Sequence, residues 1–336
     1  MKVRIFFLYS NSENRIKESQ GKDVRYSGRI SRDFLGKTAE TPLVLPAGIM
    51  DMSWSGMKYV NENGCGIITS KSLTLEARVG HHGPVVAEFN GGMLNCLGLC
   101  NPGISEGLSE INEYKSRFVN VPIIVSIFAT NKEEFVKLTK YINDSEADYI
   151  ELNLSCPNVM DEFGVPLAAS RDEVSHITEA VKKVTKLPVI TKLSPNVIGF
   201  TEIAKSAEQS GADALCLINT LGPGMLIDIE LRKPVLSNRT GGLSGACIKP
   251  VAIRLVYEAY SKVNIPIIGT GGIESGEDAV EMLMAGADFV GVGTAVYSKG
   301  IQVFNDINQG ILEYMDRHEY NNIEDIPRLE RLDDRT

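Results

Sequence analysis

Short apolar runs recur along this chain, and each is followed by a segment whose apolar residues repeat with a helical period. The runs are apolar on both faces, as strands of a fully buried parallel sheet are. They are Leu43–Ala47, Gly66–Thr69, Ile123–Phe128, Tyr149–Leu154, Pro188–Leu193, Ala214–Asn219, Pro266–Gly269 and Phe289–Gly293. Eight such alternations predict an α/β fold, a (β/α)8 or TIM barrel, rather than an open doubly wound sheet.

The segments between these runs carry signals for the start of a helix. Three pairs of residues have the spacing of an N-terminal cap. They are Thr130 with Glu133, Ser170 with Glu173, and Ser275 with Asp278. Because apolar residues follow each pair on one helical face, we expect helices to begin at these three places.

Two long stretches, residues 78–103 and 219–250, interrupt the alternation. Both are rich in Gly and Pro and show no regular period, which predicts functional loops at the carboxyl ends of strands. Barrel enzymes keep their chemistry at those ends. We expect residues 1–35 to form an N-terminal extension and residues 36–336 to form a single barrel domain.

Composition and charge narrow the classes of function. The chain has 336 residues and a formal net charge of −9 with no basic run, so nucleic acid is not an expected partner. The apolar run Ile5–Tyr9 is too short to cross a membrane or to act as a signal peptide. Six cysteines without a CxxC pair and four histidines without ligand spacing predict no metal site. We expect a cytoplasmic protein.

Glycines follow the last two predicted strands. Gly271 and Gly272 come after the seventh, and Gly293 with Thr294 ends the eighth. Backbone N–H groups in such turns can close on a phosphate. Tight turns without a ligand are the alternative interpretation, but two such turns at the last two strands favour a phosphate site.

A thiol flanked by amides ends the fourth run, where Asn153, Cys156 and Asn158 lie within six residues. Amide side chains can read both donors and acceptors of a planar polar ring. A cysteine at that position can act as a general base or a nucleophile. A lone cysteine is more often a small buried hydrophobe, but the neighbouring amides and the strand end favour chemistry here.

Two lysines, Lys71 and Lys192, lie at the ends of predicted strands, where they can meet an anion inside the barrel mouth. Asn219 and Thr220 place an amide beside a hydroxyl at another strand end, and residues 95–99 can lay their backbone on a ligand. From the residues alone, the chain is a barrel enzyme that acts on a small polar molecule and binds a phosphate-bearing ligand.

The same residues resemble class 1 dihydroorotate dehydrogenases, from about residue 46 to about residue 320. The motifs that carry the likeness are NLSCPN at 153–158, KLSPN at 192–196, INT at 218–220, RKP at 232–234 and TGGLSG at 240–245. In detail they are more similar to the 1B subclass than to the fumarate-linked 1A subclass. The resemblance implies an FMN-dependent oxidoreductase of a CH–CH bond that oxidises (S)-dihydroorotate to orotate in de novo pyrimidine biosynthesis.

The resemblance also implies roles for individual residues. FMN would be held by Ala47, Gly48, Lys71, Ser72, Asn153, Lys192, Ile218, Gly245, Gly271, Gly272, Gly293 and Thr294. The pyrimidine would be bound by Lys71, Asn95, Leu97, Gly98, Leu99, Asn153, Asn158, Asn219 and Thr220. The catalytic residues would be Cys156, Lys192 and Lys71, with Cys156 as the base that removes the C5 proton.

The likeness to the 1B subclass further implies a homodimer and a second electron-transfer subunit with FAD and a 2Fe-2S cluster, which would pass electrons to NAD. The final electron acceptor stays open. Departures from the family pattern include Cys100, Thr270, Ala246-Cys247 and the loop at 159–168, which lacks the usual Gly-Gly. That loop follows the predicted base and bears on substrate closure.

Two other enzymes fit parts of the pattern. One is a dihydropyrimidine dehydrogenase-like FMN enzyme that acts on uracil or thymine, but the chain lacks cysteine clusters for its iron–sulfur modules, and Lys71 favours a carboxylated pyrimidine. The other is a flavin-free phosphate-binding barrel, a lyase or isomerase, which needs no amide-rich pocket. A barrel that has lost its activity is disfavoured by the full set of lysines, thiol and amides.

Overall fold

The computed structural model describes Tyr26, residues 28–154 and residues 170–332. In chain order the strands are β1 (Arg32–Phe34), β2 (Lys37–Ala39), β3 (Leu43–Leu45), β4 (Ile67–Thr69), β5 (Val86–Phe89), β6 (Gly92–Asn95), β7 (Ile123–Ile127), β8 (Tyr149–Asn153), β9 (Val189–Leu193), β10 (Ala214–Leu217), β11 (Leu221–Gly224), β12 (Ile227–Asp228), β13 (Lys233–Pro234), β14 (Gly241–Ser244), β15 (Ile267–Thr270) and β16 (Phe289–Gly291). Eight parallel strands close into a barrel in the order β10-β15-β16-β3-β4-β7-β8-β9. Each predicted apolar run coincides with one of these strands, and only β15 extends beyond its run, by one residue, so the predicted (β/α)8 barrel is confirmed.

Helices follow the barrel strands and pack around them. They are α1 (Trp54–Glu62), α2 (Ile104–Arg117), α3 (Lys132–Asn143), α4 (Arg171–Lys182), α5 (Phe200–Gln209), α6 (Lys249–Tyr260), α7 (Gly276–Met284), α8 (Ala295–Lys299) and α9 (Val303–Arg317). Short 3₁₀ turns occur at Ala246–Ile248 and Ile323–Asp325. None of the helices within the described ranges is both long and apolar enough to cross a bilayer.

The predicted helix starts can be compared with the observed caps. The hydroxyls of Ser170 and Ser275 accept hydrogen bonds from the third residue that follows, at 3.3 and 3.2 Å, so both starts are confirmed. The start at Thr130 is wrong by one residue. Asn131 caps α3 by accepting from the Glu134 N–H at 2.9 Å, and the Glu134 carboxylate accepts from Thr130 instead. Asn is a strong cap, which explains why the helix begins there.

The barrel interior is apolar near the amino ends of its strands. The hairpin β1–β2 inserts Phe34, whose ring meets the rings of Tyr149 and Phe289 edge-on at 5.2 and 5.0 Å. Ile124, Ile190 and other inward-facing residues belong to the same buried cluster. This apolar plug closes the barrel at that end and leaves the carboxyl ends of the strands for a site.

Side chains alternate between the two faces of a strand, so the next inward-facing residue lies two positions further along. On five neighbouring strands this residue is polar. These residues lie two positions beyond plug residues of the same strands and are Ser126 (β7), Glu151 (β8), Lys192 (β9), Cys216 (β10) and Thr270 (β15), of which Cys216 also packs in the apolar cluster. We call these five residues the polar layer. It separates the apolar plug from the open mouth of the barrel.

The two stretches that interrupt the sequence pattern lie at the carboxyl ends of the barrel strands, as predicted, but they are more regular than the sequence indicates. They pair with each other in an antiparallel sheet of order β11-β14-β6-β5, in which Gly242 lies opposite Asn95. Their strands are two to four residues long and partly made of glycine. Pairing between stretches so distant in sequence leaves no local period to detect.

Candidate active site

A single cleft of about 1220 Å³, its open mouth included, collects the carboxyl ends of the barrel strands. Every residue predicted to hold FMN lines it: Ala47, Gly48, Lys71, Ser72, Asn153, Lys192, Ile218, Gly245, Gly271, Gly272, Gly293 and Thr294. Five further residues predicted to bind the pyrimidine also line it: Asn95, Leu97, Leu99, Asn219 and Thr220. The structure thus brings into one cleft residues from almost the whole length of the chain.

Three predicted residues are not in that set. Gly98 has φ +69, and a Cβ there would meet the His81 nitrogen at 2.9 Å, so this glycine packs against the neighbouring turn rather than the cleft. Cys156 and Asn158 lie outside the described residues, as does the altered loop at 159–168. The roles of all these residues remain predictions.

One end of the cleft is built from backbone. At Gly272 φ is +76, and a Cβ would lie 2.5 Å from the Lys249 Cβ and 2.8 Å from its nitrogen. At Gly245 φ is +95, and a Cβ would lie 2.9 Å from the Gly92 Cα. Both positions require glycine, and neither carries a side chain that would keep an anion away from backbone N–H groups. This cradle fits a phosphate.

The opposite end is built from side chains. Lys71 follows β4, and its ammonium nitrogen is 3.8 Å from where a Cβ on Gly48 would lie. Asn153 at the end of β8 donates to the Ser72 hydroxyl at 2.9 Å, and the Asn219 amide approaches the Asn153 oxygen at 3.5 Å. Cations and amides therefore converge where a planar polar ring with anionic substituents can bind.

Beneath this end lie two polar residues to which the sequence reasoning gave no role, Ser126 and Glu151. The Ser126 hydroxyl donates to the Glu151 carboxylate at 2.8 Å, and the Lys192 ammonium is 3.9 Å from the same oxygen. The acidic residue inside the apolar run Tyr149–Leu154 could have indicated a buried ion pair from the sequence alone, because carboxylates are rarely buried without a partner.

Asp51 was also missed. It is 2% exposed and accepts a hydrogen bond from the Gly48 N–H, while its own carbonyl oxygen accepts from the Lys71 N–H at 3.3 Å. Burial raises the pKa of the Asp51 carboxyl, and the positive charge of Lys71 opposes that shift. Burial, together with the nearby Asp51, raises the pKa of Tyr297, which lines the cleft. No local pattern distinguishes Asp51 from a surface aspartate.

The arrangement suits a ligand with a phosphate at one end and a planar ring at the other. The backbone cradle matches the phosphate, and Lys192 and Lys71 supply positive charge near the ring. Within the described ranges, no group of three or more His, Cys, Asp or Glu side chains is arranged to hold a metal ion.

Comparison with known proteins is decisive at this point. The dihydroorotate dehydrogenase family matches residues 29–315 of the chain. The chain belongs to that family. Three similar proteins, each named dihydroorotate dehydrogenase B (NAD(+)), catalytic subunit, come from Pyrococcus furiosus, Methanothermobacter thermautotrophicus and Brachyspira hyodysenteriae. Each is 41% identical to this chain. The alignments cover 88%, 86% and 89% of this chain, in the same order, and 97%, 94% and 97% of the relatives.

Family membership confirms several predictions made from the sequence. The resemblance to class 1 enzymes, and to the 1B subclass within it, agrees with the names of these relatives. The chain is an oxidoreductase that acts on a CH–CH bond, and its family is flavin-dependent in general. Neither the uracil-reducing alternative nor the flavin-free barrel is favoured by these comparisons.

Proposed function

We propose that this chain is the catalytic subunit of a class 1B dihydroorotate dehydrogenase, which binds FMN and oxidises (S)-dihydroorotate to orotate in pyrimidine biosynthesis. One observation carries the proposal. A glycine cradle fit for phosphate and a ring end with two lysines and several amides share one cleft, in a chain 41% identical to relatives of that name.

FMN is the flavin that the cleft fits best. Gly245, Gly271, Gly272, Gly293 and Thr294 all line the cleft and would form the cradle for the single phosphate of FMN. The flavin, when bound, would supply the hydride acceptor for C6 of the substrate. Lys192, at the end of β9, places a positive charge where negative charge develops as the ring is reduced.

The substrate would lie against the amide-rich wall. Asn95, Asn153 and Asn219 offer both donors and acceptors to the carbonyl and N–H groups of the pyrimidine. Lys71 supplies a cation for the carboxylate that distinguishes dihydroorotate from uracil. Cys156, three residues after Asn153 in the sequence, would accept the C5 proton as a general base.

We further propose a second subunit and a homodimer. The relatives' names include NAD(+) and describe each as a catalytic subunit, which supports an electron-transfer partner. The resemblance to the 1B subclass implies that this partner carries FAD and a 2Fe-2S cluster. The purified chain without that partner should reduce neither NAD nor fumarate at the full catalytic rate. Full-rate fumarate reduction by the chain alone would contradict the need for a partner.

The direct test is anaerobic mixing of the purified protein with dihydroorotate while the visible flavin absorption is followed. We expect rapid bleaching, which would establish the flavin, the substrate and the reductive half-reaction together. A yellow protein that bleaches with dihydrouracil but not with dihydroorotate would shift the assignment to the uracil-reducing class. A colourless protein that cannot be reconstituted with FMN would refute the proposal.

A further inference from the structure

The polar layer places an ion pair between the apolar plug and the ring end of the cleft. Glu151 on β8 and Lys192 on β9 are 1% and 6% exposed, and their charged atoms are 3.9 Å apart. A buried ammonium loses its hydration, which disfavours its protonated form unless a negative charge or suitable acceptors lie close by. The carboxylate of Glu151 provides such a charge.

The carboxylate is held in place by hydrogen bonds that reach the wall of the cleft. Ser126 donates to Glu151 at 2.8 Å, and the hydroxyls of Ser126 and Ser72 are 2.9 Å apart. Ser72 in turn accepts from the Asn153 amide at 2.9 Å. Because Asn153 and Ser72 line the cleft, the orientation of the carboxylate is coupled to the surface that contacts the ligand.

Among the described residues, the other titratable side chains next to this pair on the neighbouring strands are neutral. Burial, reinforced by the negative charge of Glu151, raises the pKa of the Cys216 thiol on β10 to about 12. Burial also raises the pKa of Tyr149, one inward position below Glu151. Thr270 on β15 contributes a hydroxyl, and the cation Lys71 lines the same end of the cleft. The ion pair that Glu151 makes is with Lys192.

We propose that Glu151 is a positioning residue that keeps Lys192 protonated beneath the ring end of the cleft and so sets the reduction potential of the bound flavin. The inference rests on the proposed function only in that the ring end must hold a flavin. A protonated Lys192 stabilises the negative charge that the ring gains on reduction, so it makes the flavin easier to reduce. Without the carboxylate we expect the buried lysine to hold its proton less tightly, because burial disfavours the charged form.

The test compares the flavin midpoint potential in wild-type holoenzyme and in Glu151→Gln, which keeps the size of the side chain and removes its charge. Reduction by light and a chemical donor makes the measurement independent of dihydroorotate. At neutral pH we expect the equilibrium constant for two-electron reduction of the flavin to be at least tenfold smaller in Glu151→Gln, which lowers the midpoint potential by about 30 mV. The difference in midpoint potential between wild type and variant should grow as the pH is raised, because Lys192 of the variant loses its proton first. It should shrink as the pH is lowered, because Lys192 of the variant then regains its proton. A merely structural role would not produce that pH dependence.

Two more variants make the result decisive. Glu151→Asp retains the charge and should keep the wild-type dependence of the potential on pH. Ser126→Ala frees the carboxylate without removing its charge, and should shift the potential in the same direction as Glu151→Gln by a few-fold in the equilibrium. This variant carries the test if Gln at position 151 does not fold.

The outcomes separate this inference from the proposed function. A potential that is unchanged or raised in Glu151→Gln would overturn the role of Glu151 while leaving the flavin and its substrate in place. If Glu151→Gln does not fold, an unchanged potential in Ser126→Ala would do the same. A wild-type protein that cannot bind a flavin would overturn both proposals at once.

Discussion

The two ends of the cleft are constructed in different ways. Around Gly245 and Gly272 the wall is backbone, packed so closely that a single added carbon would lie within 3.0 Å of a neighbour. Around Lys71 and Lys192 the wall is made of charged and amide side chains that are fixed by buried hydrogen bonds. The first end can recognise an anion by shape, and the second can participate in a reaction.

This difference separates binding from chemistry. Substitutions at the backbone end should weaken the cofactor complex and leave the intrinsic reaction of the bound fraction intact. Substitutions at the side-chain end should leave the cofactor bound and slow the reaction or weaken the substrate.

The largest effect is expected for Cys156→Ala, at the side-chain end. Loss of a general base slows proton transfer by about 1000-fold, within the range for such groups. Flavin content and orotate affinity should stay close to wild type, because the thiol is not assigned a binding role. Stopped-flow measurement of flavin reduction by dihydroorotate checks the rate, and unchanged kinetics would remove Cys156 from the role of base.

The next effect is expected for Gly272→Ala, at the backbone end. The new Cβ would lie 2.5 Å from the Lys249 Cβ, in a backbone conformation with φ +76 that disfavours alanine. We expect this strain and crowding to destabilise the FMN complex by about 3 kcal/mol, which raises the Kd for FMN about 100-fold. Fluorescence titration of the stripped protein with FMN measures the change.

Gly36→Ala is the matched control for that substitution. Gly36 has φ +90 in the β1–β2 hairpin, but nothing lies within 4 Å of an added Cβ. It therefore reports the cost of backbone strain alone, far from the cleft. Equal losses of FMN affinity in both variants would mean that crowding at Gly272 is not what shapes the phosphate site.

A smaller effect is expected for Lys71→Gln, which removes the cation assigned to the substrate carboxylate. A hydrogen bond to a charged group contributes about 1.5–3 kcal/mol, so KM for dihydroorotate and Kd for orotate should rise between about 10-fold and 100-fold. Spectral titration of the bound flavin with orotate gives the Kd directly. Lys58→Gln, at an exposed lysine paired with Glu62, is the control and should change neither constant. Unaltered orotate affinity in Lys71→Gln would reassign the carboxylate to another group.

Sequence patterns were sufficient for the framework of both ends. Strands such as β8 and β9 are buried on both faces, so their runs of apolar residues stand out without any knowledge of their neighbours. Gly271-Gly272 and Gly293-Thr294 were recognisable because glycine-containing turns after the last two strands of a barrel have a known use.

Features that depend on contacts distant in sequence could not be predicted in this way. The pairing of β6 with β14 joins two short glycine-containing strands from different interruptions of the pattern. Ser126 and Asp51 look like ordinary polar residues until the fold brings them to Glu151 and to the Gly48 turn. Cys156 and Asn158, which the sequence singled out, lie outside the described residues.

The smallest effect is expected on stability, at Asp51, whose carboxylate accepts a hydrogen bond from the backbone of Gly48 in the wall of the cleft. Burial raises the pKa of this carboxyl above its ordinary value of 3.8, so the folded protein retains a proton that the unfolded chain has already lost. The free energy of unfolding should therefore fall as the pH rises from about 3.8 through the raised value. In Asp51→Asn that contribution disappears, while the amide oxygen still accepts from Gly48. Urea unfolding at several pH values should show the variant gaining stability relative to wild type as the pH increases. A relative loss with increasing pH would mean that Asp51 is ionised in the folded protein and paired with Lys71.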